Sequence, residues 1–230
     1  MISYVSYPIQ WWEIMKIGIV GGTGDIGEGM ALRLSHLHEV ILGSRDESKA
    51  CATSDCTIET LKGRGVTSHC SGVSNQEAVD AADVIVLALP FQHVRATLSG
   101  LTGFEGKIVV SPVNPMGKKG HFFYDQPEEG SAALYIKKML PESARLVTAF
   151  NNIAAHKWKE LDAVLDYSVA VCSDDQEAKK VVMSLISDLP NLTPLDAGPL
   201  SSSSIVESIT PLLLNIAKNN GMRDVGVYFR

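Results

Sequence analysis

Three glycines near the start of the chain have the spacing of a phosphate-binding loop. Gly22, Gly24 and Gly27 form the pattern G-x-G-x-x-G within GGTGDIGEG, directly after the β-branched run KIGIV. In such a loop the first glycine permits a tight turn, the second lets the backbone approach a pyrophosphate, and the third lets a helix pack closely on the strand. The place of the pattern between a strand and a helix predicts a dinucleotide site. The alternative is a glycine-rich turn without a ligand.

A second group of polar residues follows the next predicted strand, EVILGS at residues 39–44. The adenosine ribose of a bound dinucleotide would lie here, and NAD-binding proteins place a carboxylate at this point. This chain instead has Ser44 and Arg45, with Lys49 four residues after Arg45. A hydroxyl and two cations suit a 2′-phosphate, which Arg binds as a fork and Lys as a point charge. The trio therefore predicts NADP rather than NAD.

The elements that must position these residues alternate between strands and helices. Strand-like apolar runs are found at residues 16–20, 39–44, 84–90, 107–112, 144–150, 167–173 and 192–198, with helical patterns between most of them. This order predicts an α/β fold with a Rossmann-type doubly wound, mainly parallel sheet and a short C-terminal helical segment at about residues 201–230. The residues after 112 are predicted to be a loop. Asp174 or Asp175 is expected to cap the amphipathic helix that follows.

Composition and chain organisation set limits on the class of protein. No Pro/Gly/Ser-rich linker or repeat divides the 230 residues, so we expect one domain over 15–230 after an extension at 1–14. Residues 1–14 could also be an ordered arm carrying Trp11 and Trp12 onto a partner. The net charge of -6 argues against a nucleic-acid binder, and no apolar run reaches the roughly 18 residues of a membrane span. With four cysteines in no CxxC pair and no signal peptide, a cytoplasmic protein with reduced thiols is expected.

Longer stretches resemble a known family. KIGIVGGTGDIGEGMALRL, ILGSR, KIVVSPVNPM, KKVVMSLISDL and PLDAGPLSSSSIVESITPLLLNI are together similar to archaeal coenzyme F420-dependent NADP oxidoreductase, from about residue 15 to the C-terminus. The resemblance implies reversible hydride transfer between the deazaflavin F420 and NADP. It also implies a small homodimeric enzyme of methanogenic or related archaea. Hydride transfer between two positioned rings needs no nucleophile and no metal, so neither is predicted.

The resemblance also implies a longer list of NADP contacts. By position these are Thr23, Gly24, Asp25 and Ile26 in the loop, Ser44, Arg45 and Lys49 at the 2′-phosphate, and Phe91, Arg95, Met116 and Ala155 further along. Phe91, Met116 and Ala155 each follow a predicted strand, where open α/β sheets bind ligands, although Phe91 and Met116 taken singly are typical packing residues. The family's usual His-Thr and Pro are replaced here by Asn151, Asn152 and Ala154. If the family's residues at these positions touch the deazaflavin, the deazaflavin contacts of this chain differ.

Several single residues and one helix carry further expectations. Asp25 is predicted to cap the first helix, and His36 and His38 are predicted to be surface residues. Lys118 and Lys119 suit the phosphate and polyglutamate tail that F420 carries, although a solvated loop tip is equally consistent with them. The helix at 203–219 is apolar on most faces, which predicts burial in the core or in a homodimer contact. Pro211 is expected to kink or break it.

Two other functions are compatible with the same residues. The chain could be an NADP-dependent reductase of a small imine or keto substrate, or a non-catalytic NADP-sensing module. Reductases of that kind generally append a large helical substrate domain, whereas only about 30 residues follow the last predicted strand here. This length favours the F420 reaction.

Overall fold

The computed structural model describes residues 14–223 and 225–229. In that part of the chain the strands are β1 (Lys16–Val20), β2 (Glu39–Ser44), β3 (His69–Ser74), β4 (Val84–Leu87), β5 (Ile108–Ser111), β6 (Met116–Lys119), β7 (His121–Tyr124), β8 (Arg145–Thr148), β9 (Tyr167–Val171) and β10 (Leu192–Asp196). The helices are α1 (Asp25–Leu34), α2 (Glu47–Gly63), α3 (Asn75–Ala81), α4 (Phe91–Leu98), α5 (Ala132–Lys137), α6 (Ala155–Lys159), α7 (Gln176–Ser187) and α8 (Ser203–Asn220).

Six parallel strands form the main sheet, in the order β3-β2-β1-β4-β5-β8. The chain winds outward from β1 in both directions, which is the doubly wound arrangement of the Rossmann fold. The predicted fold class is therefore confirmed. The strands β9 and β10 pair in parallel as a separate two-stranded sheet, and β6 and β7 form an antiparallel hairpin where a loop was predicted.

Alternating side chains of the central strands fill two apolar layers, one on each face of the sheet. Ile17 and Ile19 of β1 pack with Met30 of α1 and Leu185 of α7, whereas Val20 belongs to the layer on the other face. Because both faces are covered, these strands are apolar at nearly every position rather than at every second one. This explains why they could be recognised as short continuous apolar runs in the sequence.

The C-terminal helix is fixed to the rest of the fold by a buried carboxylate. Glu207 of α8 accepts hydrogen bonds from the N–H groups of Ala132 and Ala133, at 2.8 and 3.0 Å, and from the Tyr124 hydroxyl at 2.9 Å. Burial raises the pKa of Glu207, while these three donors stabilise its charged form. Asn215 bonds both the N–H and the carbonyl of Phe122. The helix α8 thus holds the hairpin and the start of α5 together.

Two single residues depart from the predictions, and two further observations concern the extent of the described residues. His38 is not a surface residue: it is 2% exposed, and its Nε2 lies 3.0 Å from the Asp188 carboxylate. Pro211 does not break α8, which is continuous from Ser203 to Asn220. No helix of the described residues is both long and apolar enough to cross a membrane. The predicted extension at 1–14 lies outside the described residues except for the exposed Ile14.

The predicted cap of α7 is Asp175, which accepts a hydrogen bond from the Ala178 N–H at 2.9 Å. Its carboxylate also receives two hydrogen bonds from Arg145, at 2.8 and 3.1 Å. These interactions lower the pKa of Asp175 to about 2, the Arg145 contact being the largest cause. The ionised carboxylate of Asp175 therefore stabilises the fold.

Acid titration tests this cap. A carboxyl group whose pKa is lower in the folded state stabilises the protein above its unfolded pKa, and the stabilisation is lost as the pH falls through the folded pKa. The Asp175 side chain is 37% exposed, so solvent screening reduces the expected contribution to on the order of 1 kcal/mol. From about pH 4 to about pH 2 the free energy of unfolding in urea should fall more in the wild type than in Asp175→Asn. Parallel curves would contradict the assignment.

Candidate dinucleotide site

The three glycines of the loop differ in the space that surrounds their Cα atoms. A Cβ at Gly27 would lie 2.6 Å from the Gly22 Cα, and a Cβ at Gly22 would lie 2.8 Å from the Leu42 Cδ2. A Cβ at Gly24 would meet only the Gly21 carbonyl oxygen, at 3.6 Å, and Gly24 has an ordinary extended backbone with φ -87°. The fold therefore requires a small residue at Gly22 and Gly27 and leaves open space at Gly24. That open space is what a ligand approaching the backbone needs.

Three backbone N–H groups directly follow Gly24 at the start of α1. Gly24 is the N-cap of α1, so the N–H groups of Asp25, Ile26 and Gly27 have no acceptor within the helix. Such groups bind anions, and the helix dipole adds to the attraction. The described geometry fits a pyrophosphate at this position.

The turn itself is made one residue earlier than the glycine pattern suggested. Gly21 has a φ of 75°, and its N–H donates to the Asn75 side-chain oxygen at 3.1 Å. The next N–H, that of Gly22, donates to the Gly43 carbonyl at 2.8 Å. The start of α3 and the end of β2 therefore hold the loop. Asn75 gave no recognisable signal in the sequence because its role depends on the neighbouring strands.

Asp25 does not cap α1, contrary to the prediction. The helix has no side-chain cap, and the Asp25 carboxylate is 70% exposed and lies 2.9 Å from the Nζ of Lys159. Lys159 also contacts Glu28 of the same helix turn. A cation from α6 thus lies beside the acidic residues of the loop.

At the end of β2, Ser44 is buried and Arg45 is exposed. The Ser44 hydroxyl oxygen accepts the Asp46 N–H at 3.1 Å, and its own proton is available to a ligand. Lys49 is 72% exposed, and its Nζ lies 3.8 Å from the Asp46 carboxylate. Ser44 is the last residue of β2, Arg45 follows it directly, and Lys49 lies in the first turn of α2. It adds Asp46, an acidic neighbour that the sequence reasoning did not weigh.

The remaining predicted contacts follow three neighbouring strands at the same sheet edge. Phe91 begins α4 directly after β4, and its ring packs edge-on against Tyr135 at 5.3 Å between centroids. Arg95 is exposed one turn later on α4. Met116, which is 40% exposed, begins β6 after β5, and Ala155 begins α6 after β8. Met116 and Ala155 thus lie five and seven residues beyond the ends of β5 and β8.

The residues that depart from the family pattern lie between these contacts. Asn151 is 3% exposed, and its side-chain nitrogen donates to the Val113 carbonyl and to the Asn114 side chain. Its backbone carbonyl accepts hydrogen bonds from Asn114 and from Thr210 of α8. Asn152 donates to the Ser168 carbonyl at 2.8 Å. In this chain, Asn151 therefore joins the segment after β8 to the loop after β5 and to α8, and Asn152 joins it to β9.

The order of these groups along the sheet edge follows the order of groups in a dinucleotide. Ser44 and Arg45 follow β2, the glycine loop follows β1, and the other contacts follow β4, β5 and β8, which are consecutive neighbours in the sheet. At about 4.8 Å per strand these five positions span about 19 Å.

A cavity of about 330 Å³ lies away from this edge, beside Arg145 at the opposite end of β8. Among the described residues, no cluster of His, Cys, Asp and Glu could hold a metal ion.

The fold and this edge define a dinucleotide-binding protein of the doubly wound α/β class. A family model described as NADP oxidoreductase, coenzyme F420-dependent, matches residues 16–115. The chain is 37% identical to the F420-dependent NADP reductase of Methanocaldococcus jannaschii, over 91% of this chain and 97% of that protein. It therefore belongs to the family of F420-dependent NADP reductases.

Solved structures show the same fold. A structure described as an F420-dependent NADP reductase from Arthrobacter sp. FB24 has a TM-score of 0.76 at 24% identity, covering 94% of this chain and 99% of that one. An imine reductase from Aspergillus terreus has a TM-score of 0.61 at 17% identity and covers 90% of this chain. This chain spans only 63% of the imine reductase. Both likenesses establish the fold alone.

Proposed function

We propose that this chain catalyses reversible hydride transfer between reduced coenzyme F420 and NADP⁺. The observation that carries the proposal is the ordered sheet edge, with cations after β2, free N–H groups after β1 and apolar residues after β4, β5 and β8. It occurs in a chain that matches an F420-dependent NADP reductase over 91% of its length. NADP and F420 are thus its two coenzymes, and both act as substrates.

The residues of the chain bind and orient the two coenzymes. The N–H groups of Asp25, Ile26 and Gly27 would hold the pyrophosphate, with Thr23 and Gly24 beside it. Ser44, Arg45 and Lys49 would bind the 2′-phosphate, and the nicotinamide half would be held by Phe91, Arg95, Met116 and Ala155. When both coenzymes are bound, their rings supply the hydride donor and acceptor. The protein contributes position and the exclusion of water, which together can lower the barrier by several kcal/mol.

The test is to mix the protein with NADPH and oxidised F420 and to follow the deazaflavin absorbance. Loss of colour at a rate proportional to protein concentration is expected. Turnover of a cyclic imine without turnover of F420 would instead identify a small-substrate reductase. NADPH binding without turnover of either substrate would identify a sensing module.

A homodimer formed through α8 is the proposed assembly. Ile205, Leu212 and Ile216 are 69%, 57% and 36% exposed, and with Ile209 they line one face of the helix at helical spacing. An exposed apolar stripe of this kind marks an interaction surface, and twofold pairing of identical chains is the commonest assembly.

Leu212→Glu should weaken this dimer at least about 30-fold, because it places a charge in the centre of an apolar contact. Light scattering after size exclusion, over a range of concentrations, measures the change. Leu37→Glu is the matched control, since Leu37 is a 40% exposed leucine on a different surface. A wild type that remains monomeric at high concentration would refute the proposal.

The β6–β7 hairpin is the proposed binding place for the acidic part of F420. Lys118 and Lys119 lie at its exposed tip, and Lys218 of α8 donates to the Gly120 carbonyl beside them. Charge reversal in Lys118→Glu/Lys119→Glu should raise the Michaelis constant for F420 about tenfold at low salt and much less at high salt. The constant for NADP should not change. Lys137→Glu/Lys138→Glu, near the opposite sheet edge, is the control, and equal effects of both pairs would argue against the assignment.

The cellular compartment and the source of the enzyme are proposed from two observations. All four cysteines are free, and two of them are exposed, which suits a reducing, cytoplasmic compartment. The relative from Methanocaldococcus jannaschii supports an archaeal source. Residues 15–230 are proposed to act as one domain.

A further inference from the structure

Two carboxylates lie where the proposed site must accept an anion. Asp25 and Glu28 are in the first turn of α1, beside the N–H groups that directly follow Gly24. Acidic residues stabilise a helix N-terminus through its dipole. They also repel a bound pyrophosphate through space, and this repulsion must be offset for the loop to bind a cofactor.

Lys159 supplies the opposite charge. Its Nζ lies 2.9 Å from the Asp25 carboxylate and 2.5 Å from that of Glu28. The Glu28 and Asp25 carboxylates raise the pKa of Lys159. The side chain is only 34% exposed.

Packing fixes the backbone that carries Lys159, independently of these ion pairs. A Cβ at Gly29 of α1 would lie 2.2 Å from the Trp158 Cβ, so only glycine permits this approach of α6 to α1. Arg33 of α1 donates hydrogen bonds to the carbonyls of Trp158 and Lys157, at 2.9 and 3.1 Å. These bonds satisfy carbonyls at the end of α6. The ammonium of Lys159 is therefore held beside the loop before any cofactor arrives.

We propose that Lys159 raises the affinity of the dinucleotide site by offsetting part of the negative charge of Asp25 and Glu28, so that the loop after β1 can accept a pyrophosphate. This inference rests on the proposed function to the extent that the cofactor is a phosphorylated dinucleotide. In this proposal Lys159 changes the electrostatic potential at the loop and does not contact the reacting rings. Because the cation acts on two carboxylates, removing those carboxylates makes the cation dispensable.

The test compares NADPH dissociation constants measured by fluorescence titration at low and high salt. Lys159→Met should bind NADPH about tenfold more weakly at low salt, and the difference should shrink as salt is added. Lys159→Arg should retain wild-type affinity. Asp25→Asn/Glu28→Gln/Lys159→Met should bind NADPH at least as tightly as the wild type, because these three positions then carry no charge where the wild type carries a net negative charge. Lys180→Met, which removes a surface lysine paired with Glu177, is the control and should bind as the wild type does.

The outcomes separate this inference from the proposed function. Equal affinity of Lys159→Met and the wild type overturns the role of Lys159. A loss that the triple variant does not recover also overturns the proposal that Lys159 offsets the charge of the two carboxylates, since Lys159 would then contact the phosphate itself or act only on the fold. Either result leaves F420 reduction by the wild type unaffected. A wild type that does not bind NADPH overturns both proposals.

Discussion

Gly24→Val is expected to abolish tight NADPH binding and to leave the fold intact. The backbone of Gly24 is extended, the residue is exposed, and an added Cβ meets no close neighbour, so we expect the free protein to accommodate a larger side chain. The same side chain would keep a pyrophosphate away from the N–H groups of α1. Losing two charge-assisted hydrogen bonds at about 1.5–3 kcal/mol each should raise the dissociation constant more than about 100-fold. Fluorescence titration measures this, while the melting temperature should change by less than about 2 °C.

Gly27→Ala, in the same loop, is expected to lower the stability of the fold, which Gly24→Val leaves intact. Its Cβ would lie 2.6 Å from the backbone of Gly22, so the loop and α1 must separate to accommodate it. Overpacking of this kind costs about 1–3 kcal/mol, and we expect a melting temperature lower by several degrees. If Gly24→Val bound NADPH as the wild type does, the loop would not be the pyrophosphate site.

Arg45→Ala is expected to remove the preference for NADP over NAD. The guanidinium at the end of β2 is exposed and can bind a 2′-phosphate with two hydrogen bonds. Its loss should raise the Michaelis constant for NADP roughly 30- to 100-fold and that for NAD less than about threefold. The turnover number should stay near that of the wild type, because the 2′-phosphate is bound equally in the ground and transition states.

Two further variants calibrate this result. Lys49→Ala should have a smaller effect, about threefold, because its ammonium is 72% exposed and lies near the Asp46 carboxylate. Lys62→Ala removes a cation at the far end of the same helix and should change neither constant. Equal effects of Arg45→Ala on both coenzymes would refute the NADP assignment.

The sequence by itself determined the doubly wound fold and the adenosine half of the candidate site. The central strands are buried on both faces, which makes them continuous apolar runs separated by helical patterns. The glycine loop and Ser44-Arg45 each lie within a single strand-turn-helix segment, so their spacing in the chain reports their geometry directly. The cap at Asp175 was predictable for the same reason, since the Asp175 carboxylate and the Ala178 N–H that donates to it are only three residues apart.

The tertiary structure alone decided how distant segments meet at the site. Lys159 reaches Asp25 because α6 packs on α1 at Gly29, and Arg33 contacts residues more than 120 positions away. Glu207 binds the start of α5, and His38 is buried against Asp188 instead of lying on the surface. The local sequence pattern does not predict such pairs, because each partner, taken alone, looks like an ordinary surface residue. Only the close approach of the elements, set by volume and backbone hydrogen bonds, makes them neighbours.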